Sequence, residues 1–345
     1  MNESNKTIQE LKESIADKIK NYHSHLNEGP YDVDHVDRWI CQFPEEERWS
    51  VLAETNRLLE TNYIDQKKTE AFFDYIWNHK ELMGENPYVT LNKTQILNIQ
   101  QKGHSQKRML ERLEKYYWNT KTALINKAPE EYVENYIYLD DCMYTGFTML
   151  HDIDNWIDNA EPKKGSTLWL IFIGGYEGNR KYILSKVQKK CTERNITVKF
   201  DCMYSYNTYN LIWPWHSSQW SEDPYGDPYV EAFVKNMEEQ KKQLGWKGIC
   251  FRTGREPEQD TKIFQRAILK KGAYLCSLPI NPNKNMKPMG YALNISLGFG
   301  AFFATDYNIS NNCPLAFWWG NASYSADSTL GKWYPLLPRE ANEIK

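Results

Sequence analysis

The 345-residue sequence predicts an α/β fold, a parallel sheet flanked by helices, with an α-helical module in front of it. Three observations carry the prediction. The apolar runs at 136–139, 166–173 and 196–203 are of strand length, and segments of helical periodicity separate them. That alternation builds a parallel sheet through right-handed crossovers. Residues 1–80, by contrast, carry helical periodicity alone. No repeat or long linker interrupts the remainder of the chain, so the expected division is a helical module at 1–85 and an α/β domain at 86–345.

The module opens with a helix over 6–25. Thr7 and Glu10 form a capping-box pair, and Ile8, Leu11, Ile15, Ile19 and Tyr22 recur as one apolar stripe, ended by Glu28-Gly29-Pro30. His23 and His25 close this helix and are read as facing solvent. Helices follow at 34–42, at 44–60 with Pro44 in the first turn, and at 65–79. Docking as a helix-turn-helix on DNA is disfavoured by Glu45-Glu46-Glu47 and the other acids here, so the module reads as a cap on the α/β domain or on a partner. From Tyr88 the pattern changes. Residues 89–99 mix strand and loop character and deliver Lys102-Gly103-His104-Ser105 to a helix with Leu110, Leu113 and Tyr117 on its inner face. Glycine and serine ahead of a helix bearing Lys107 and Arg108 suit an anion. In the plainer reading Ser105 is an ordinary helix cap and both cations face water, and the pattern leaves the two readings side by side.

The chain is organised around YIYLDDCMYTGFTML at 136–150. Tyr136 to Leu139 suit a buried parallel strand, which brings Asp140 and Asp141 to its carboxyl end, where ligands bind in open α/β sheets. Tyr144, Thr145, Gly146, Phe147 and Thr148 then offer a glycine, two hydroxyls and backbone amides at the start of a helix, which suits a phosphate. Phe147, Leu150, Ile153 and Ile157 recur at spacings of three and four, predicting the face that packs on the sheet. Cys142 reads as a small buried hydrophobe.

Downstream, Pro162-Lys163-Lys164-Gly165 is a turn, 166–173 a second strand ending in Gly174-Gly175, and Ile183, Leu184, Val187 and Cys191 the face of a helix. Residues 196–203 form a third strand. The aromatic loop at 204–220 includes Trp213 and Trp215, either a stacking surface for a base or a lid over the core. A charged surface helix at 228–244, a strand at 246–252 ending in the solvated turn Arg252 to Arg255, and a helix at 260–271 follow. The last third suggests a strand or a buried turn at 297–305 and a strand at 313–319; there Trp318, with Asn311 and Asn312, either hoods a base or seals the domain.

Composition excludes several functions. A net charge of −3 and the absence of any run of five cations argue against general or sequence-specific nucleic-acid binding. No apolar run approaches the ~20 residues of a membrane helix, and MNESNKTIQE lacks the regions of a secretory signal. Seven cysteines without a C-x-x-C pair read as reduced thiols in a cytoplasmic protein, and the seven histidines show no zinc spacing.

A strand, two carboxylates, three spacers and T-G-x-T before a helix resembles the 5-phosphoribosyl-1-pyrophosphate (PRPP) loop of type I phosphoribosyltransferases. The resemblance implies that Asp140 and Asp141 hold the ribose 2′ and 3′ hydroxyls, that Thr145, Gly146 and Thr148 wrap the 5′-phosphate, and that Gly103, His104, Ser105, Lys107 and Arg108 lie where pyrophosphate binds. It implies Mg²⁺ as cofactor, held through the substrate near Asp140 and Asp141. Some relatives carry an acid before the T-G pair as general base toward a purine, where this chain has Tyr144, so base identity stays open. More loosely, residues 98–106, YIYLDD, NCPLAFWWGN and WYPLLPR resemble the PRTase-CE proteins of bacterial conflict systems, some encoded beside retron reverse transcriptases. That likeness implies a defence effector acting on PRPP or a nucleotide, with a partner such as a reverse transcriptase–msDNA complex. The alternatives are a nucleotide or PRPP sensor without chemistry, and a partner-binding module.

Overall fold

Local signals set the first helices of the computed structural model, which describes residues 6–125, 128–206, 226–243, 259–281, 283–321 and 323–340. The capping box of Thr7 and Glu10 opens α1, Ile8–Ile19, and buries Leu11, Ile15 and Ile19; Ile8, expected in the stripe, is 38% exposed at the first turn. Asp32 caps α2, Val33–Ile40, by accepting the His35 amide at 3.0 Å. Three glutamates stand in the first turn of α3, Glu45–Asn62, where the helix dipole favours negative charge. That placement gives Glu45-Glu46-Glu47 a structural role. β1, Tyr63–Ile64, ends this segment. His23 is buried against Glu28, contrary to the solvent-facing expectation.

The chain then forms a second unit over 66–206. It contains α4, Gln66–Trp77; the short helices α5, Lys80–Met83, and α6, Pro87–Leu91; β2, Thr94–Leu97; α7, Ser105–Lys121; β3, Asn135–Met143; α8, Phe147–Ala160; β4, Thr167–Tyr176; α9, Arg180–Glu193; and β5, Thr197–Tyr206. Among the described residues its sheet is four-stranded, in the order β2-β3-β4-β5, and every neighbouring pair is parallel. One buried layer joins Tyr136, Tyr138, Leu168, Leu170 and Phe172 of the sheet to Met149, Ile153, Trp156 and Ile157 of α8 and Ile183, Val187 and Cys191 of α9. The face of α8 is therefore rotated from the expected one. Phe147 is 42% exposed, because the turn at Gly146 leaves the first helical residue outside the packed stripe.

After 226 the chain returns to the first unit, which joins 6–65 to 226–340. α10, Pro228–Gln243, α11, Gln259–Ser277, β6, Ala304–Thr305, and the one-turn helix α12, Leu315–Trp318, complete the series. The surface helix expected at 228–244 buries Val230, Val234 and Met237. The expected strand at 313–319 is helical from Leu315: Pro314, itself extended at φ −53° and ψ 138°, stands at the N-cap, and Leu315–Trp318 form one turn behind it. Of 297–305, expected as a strand or a buried turn, Ala304–Thr305 is strand and Leu297, Phe299 and Phe302 are buried. β6 pairs in parallel with β1, Tyr63 beside Ala304. Trp39 Nε1 and Trp333 Nε1 both donate to the Ala316 carbonyl at 3.0 Å, and the buried His35 places Nε2 2.7 Å from the Leu336 carbonyl. The division expected at residue 85 thus falls between 65 and 66, and the helical segment shares its core with the end of the chain. Among the described residues no helix is long and apolar enough to cross a membrane.

Candidate functional site

The centre of the second unit is the carboxyl end of β3. The strand runs four residues beyond the apolar run, so Asp140 and Asp141 lie within it, Asp140 in register with Phe172 of β4. Each acid accepts the amide of the residue after it: Asp141 N–H donates to Asp140 Oδ1 at 2.8 Å, and Cys142 N–H to Asp141 Oδ1 at 2.6 Å. Asp140 is buried and Asp141 partly exposed.

Burial, and then the neighbouring carboxylate, hold the Asp140 carboxyl well above the usual range, opposed by a hydrogen bond with the Ser105 hydroxyl. Burial raises Asp141 to about 6. Among the described residues no cation offsets either acid. Two acids this close titrate as a pair, with Asp140 the natural holder of the shared proton. The consequence for stability has a definite sign. Both groups bind protons more tightly folded than unfolded, so the pair favours the folded chain most below about pH 4 and disfavours it increasingly as pH rises through about 6. The thermal unfolding temperature of the unliganded protein is expected to fall across that window more steeply than in the Asp140→Asn/Asp141→Asn variant; equal slopes would refute the assignment.

The loop after β2 closes one side of the acids. Gln100 Nε2 donates to Ser105 Oγ at 3.0 Å and approaches Asp140 Oδ2 at 3.4 Å. Buried Gln106 accepts the amides of Ile99 and Gln100 at 2.7 and 2.9 Å through Oε1, while its Nε2 is buried with no partner among the described residues. Asp152 of α8 accepts the Gln101 amide at 3.2 Å and the Tyr138 hydroxyl at 3.2 Å, tying loop, strand and helix together. Ser105 is the first residue of α7, with its hydroxyl turned to Gln100 and Asp140, so it does not cap that helix. Gly103 has φ +97° and lies near the Gln100 side chain. His104 is exposed, Arg108 half-buried, and Lys107 exposed with its ammonium 4.0 Å from Glu111. The sequence pattern does not mark Gln100, Gln106 and Asp152; the signal for them is a glutamine pair spaced to lace a loop onto a helix start.

The other side is the turn 144–146. Gly146 takes φ +76°, caps α8 with no side chain, and leaves the amides of the first helical turn to face whatever lies ahead. The N-terminal turn of α9 supports it. Asn179 Nδ2 donates to the Thr145 carbonyl at 3.4 Å, and a Cβ on Gly146 would lie 2.8 Å from Ile183 Cγ2. Arg180 pairs with Glu177 at 2.5 Å, and Glu177 accepts the Ser205 hydroxyl, which joins the ends of β4 and β5. Thr145 is partly exposed and Thr148 exposed. Tyr144 stacks on Tyr176, centroids 5.5 Å apart at 21°.

One further cluster in this unit has a catalytic composition. Tyr75 donates to Asp201 at 2.5 Å, and His79 Nε2 lies 3.1 Å from the same oxygen. His79 Nδ1 accepts the Leu82 amide at 3.1 Å, so its proton is on Nε2 and directed at Asp201. Both ring nitrogens are engaged, and the cluster reads as a clip rather than a general base.

Of the sequence-predicted residues, Asp140 meets Ser105 and the loop bearing Gly103, and Asp141 and the 144–148 turn follow it directly in the chain. Trp318 belongs to the other unit and is buried in its core, its indole N–H donating to the Cys313 carbonyl at 2.7 Å. Trp213 and Trp215, and the strand and turn predicted at 246–255, lie outside the described residues. Among the described residues no group of three or more His, Cys, Asp or Glu side chains is placed to hold a metal unaided. Two adjacent carboxylates that no described cation offsets do fit a Mg²⁺ that keeps waters and takes remaining oxygens from its ligand. A model of the family described as PRTase-CE matches residues 36–339. Comparison with curated proteins and with solved structures returned no match.

Proposed function

The chain belongs to the PRTase-CE family, and from that premise we propose that its second unit binds a ribose 5-phosphate group and acts on the substituent at C1′, as PRPP or as a nucleotide. The observation that carries this reading is the adjacent Asp140–Asp141 pair, each acid accepting the next amide and offset by no described cation, just ahead of an uncapped, glycine-turned helix start. The 2′ and 3′ hydroxyls of the sugar donate to the two carboxylates, and the amides from Thr145 to Thr148 hold the 5′-phosphate. The loop from Gln100 to Ser105 is the side on which pyrophosphate or another C1′ group lies. Mg²⁺, where bound, supplies positive charge beside the acids and the departing group's oxygens. The residues themselves act by position and charge: ionised Asp140 and Asp141 stabilise the cationic ribosyl as its C1′ bond breaks, and the rigid turn fixes the far end.

Binding to ionised carboxylates must release protons from a pair whose pKa is raised, so affinity for the Mg²⁺-loaded ligand is expected to rise between about pH 5 and pH 7. Calorimetry of PRPP with Mg²⁺ in buffers of different ionisation enthalpy measures that release directly. Mass spectrometry of products from a nucleotide mixture then separates an enzyme from a sensor. Absence of any binding of PRPP, ribose 5-phosphate or nucleotide sinks the proposal. The setting we propose is a bacterial defence system, in which such chemistry depletes nucleotides or modifies a macromolecule beside a partner protein. It rests on the resemblance to conflict-system proteins.

A further inference from the structure

The loop between β2 and α7 is wrapped round one side chain. The Gln100 carboxamide is held at both ends: its Oε1 accepts the Gln106 amide at 3.2 Å, and its Nε2 donates to Ser105 Oγ at 3.0 Å and faces Asp140 Oδ2 at 3.4 Å. Gly103, turned at φ +97°, brings the backbone so close that a Cβ there would lie 3.7 Å from Gln100 Cδ. Return contacts close the ring. Gln106 Oε1 accepts the amides of Ile99 and Gln100, so each glutamine holds the backbone of the other. Gln106 is fully buried, and with both bonds made by its oxygen its Nε2 is left without a partner among the described residues. An unmatched buried donor destabilises a fold. The shape of this loop is kept in spite of that cost.

The direction of the Gln100 amide is dictated by what lies at its two ends. Turned over, it would set Oε1 against the Asp140 carboxyl and Nε2 against the Gln106 N–H, acceptor on acceptor and donor on donor. The remaining orientation satisfies both ends and offers Asp140 a neutral donor. Asp140 Oδ1 is meanwhile taken by the Asp141 amide at 2.8 Å. The two contacts fall on different oxygens, so together they fix the plane of the carboxyl as well as its place.

We propose that Gln100 is the positioning residue of the ribose subsite: it orients the Asp140 carboxyl toward a sugar hydroxyl and ties that acid to the loop 100–105, so that filling the ribose site is felt in the loop on the C1′ side. This rests on the sugar-phosphate reading above and deepens it. Gln100 acts through Asp140 and through the loop it holds. A phosphate gripped by the 145–148 turn alone makes no use of it, whereas a ribose does.

The test uses ribose 5-phosphate and inorganic phosphate at one fixed Mg²⁺ concentration, with calorimetry for affinity and amide NMR for the loop. Gln100→Met keeps the length of the side chain and removes both hydrogen-bonding ends. It is expected to bind ribose 5-phosphate about tenfold more weakly, the size of one hydrogen bond at a charged group, and inorganic phosphate as before. In the wild-type protein the Gln100 Nε2 resonance and the amides of residues 101–105 shift with ribose 5-phosphate and stay in place with phosphate alone; in Gln100→Met the loop amides no longer respond. Unchanged affinity for ribose 5-phosphate in the variant, or loop amides that respond as in the wild type, overturns the proposal while leaving the sugar-phosphate reading intact. Should Gln100→Met lose inorganic phosphate as well, the wild-type spectrum decides. A Gln100 Nε2 resonance that moves with ribose 5-phosphate and not with phosphate supports the role, and one that is stationary, or moves equally with both, overturns it. A wild-type protein that binds no ribose 5-phosphate removes the sugar-phosphate reading and this inference with it.

Discussion

Replacing Asp140 with Asn is expected to stabilise the unliganded protein at neutral pH and to weaken sugar-phosphate binding about tenfold or more. The two effects have one cause. Asp140 is buried beside a second carboxylate, and a hydroxyl, a side-chain amide and a backbone amide relieve it only in part. Asn keeps the acceptor for the Asp141 amide and removes the charge. An inadequately matched buried polar or charged group costs roughly 1–3 kcal/mol, which for a unit of this size is a rise of several degrees in unfolding temperature. The gain should be small near pH 4, where the wild-type carboxyl is protonated anyway, and should grow with pH. Binding changes the opposite way. A hydroxyl hydrogen bond to an ionised carboxylate contributes about 1.5–3 kcal/mol, so affinity for PRPP or a nucleotide is expected to drop about tenfold or more, and the Asp140→Asn/Asp141→Asn variant should be inactive while folded. Full activity in the double variant, or a lower unfolding temperature in Asp140→Asn at pH 8, would remove the central role given to the pair.

Gly146→Ala is expected to be the most damaging single-methyl change in the second unit. Two terms add. An L residue at φ +76° costs about 1 kcal/mol, and the new Cβ would stand 2.8 Å from Cγ2 of Ile183, which is fully buried. Overpacking of that kind costs typically about 1–3 kcal/mol. Gly165 separates the terms, because it has φ +84° and nothing within 4 Å of where a methyl would stand. Gly165→Ala should therefore lose about 1 kcal/mol and Gly146→Ala about 2–4 kcal/mol by chemical denaturation. In an Ile183→Ala background the Gly146→Ala penalty should shrink toward the Gly165 value, as a double-mutant cycle would read. Equal costs for the two glycines would mean that α9 does not support the turn.

The local structure of the candidate site was legible in the sequence. Asp140, Asp141 and the turn to Thr148 could be placed from the strand-length apolar run and the helix start, because both signals are short-range. Gln100, Gln106 and Asp152 were not legible, since their roles depend on which backbone amides the fold presents to them. The same limit explains the fold. α1 to α4 could be read from caps and stripes, but the pairing of Tyr63 with Ala304 joins residues far apart in the chain, and two-residue strands leave almost no periodic signal. Phe147 misled for a related reason: its spacing suits the buried face of α8, yet the glycine before it turns the first residue outward.

The first unit is built from two separated segments, 6–65 and 226–340, with 66–206 between them in the chain. On the ribosome this sets an order of events. The inserted unit has all its strands and helices once about residue 206 has emerged, and it can fold as a continuous segment while synthesis proceeds. α1 to α3 leave the exit tunnel before that unit yet must wait for Phe302, Phe317 and Leu336, which share their buried cluster with Ile15, Trp39 and Leu52. For most of translation those apolar faces are nascent-chain surface, the kind that holdase chaperones retain. Silent codon changes that slow elongation between 210 and 300 should prolong that exposure and lower soluble yield without altering a single residue.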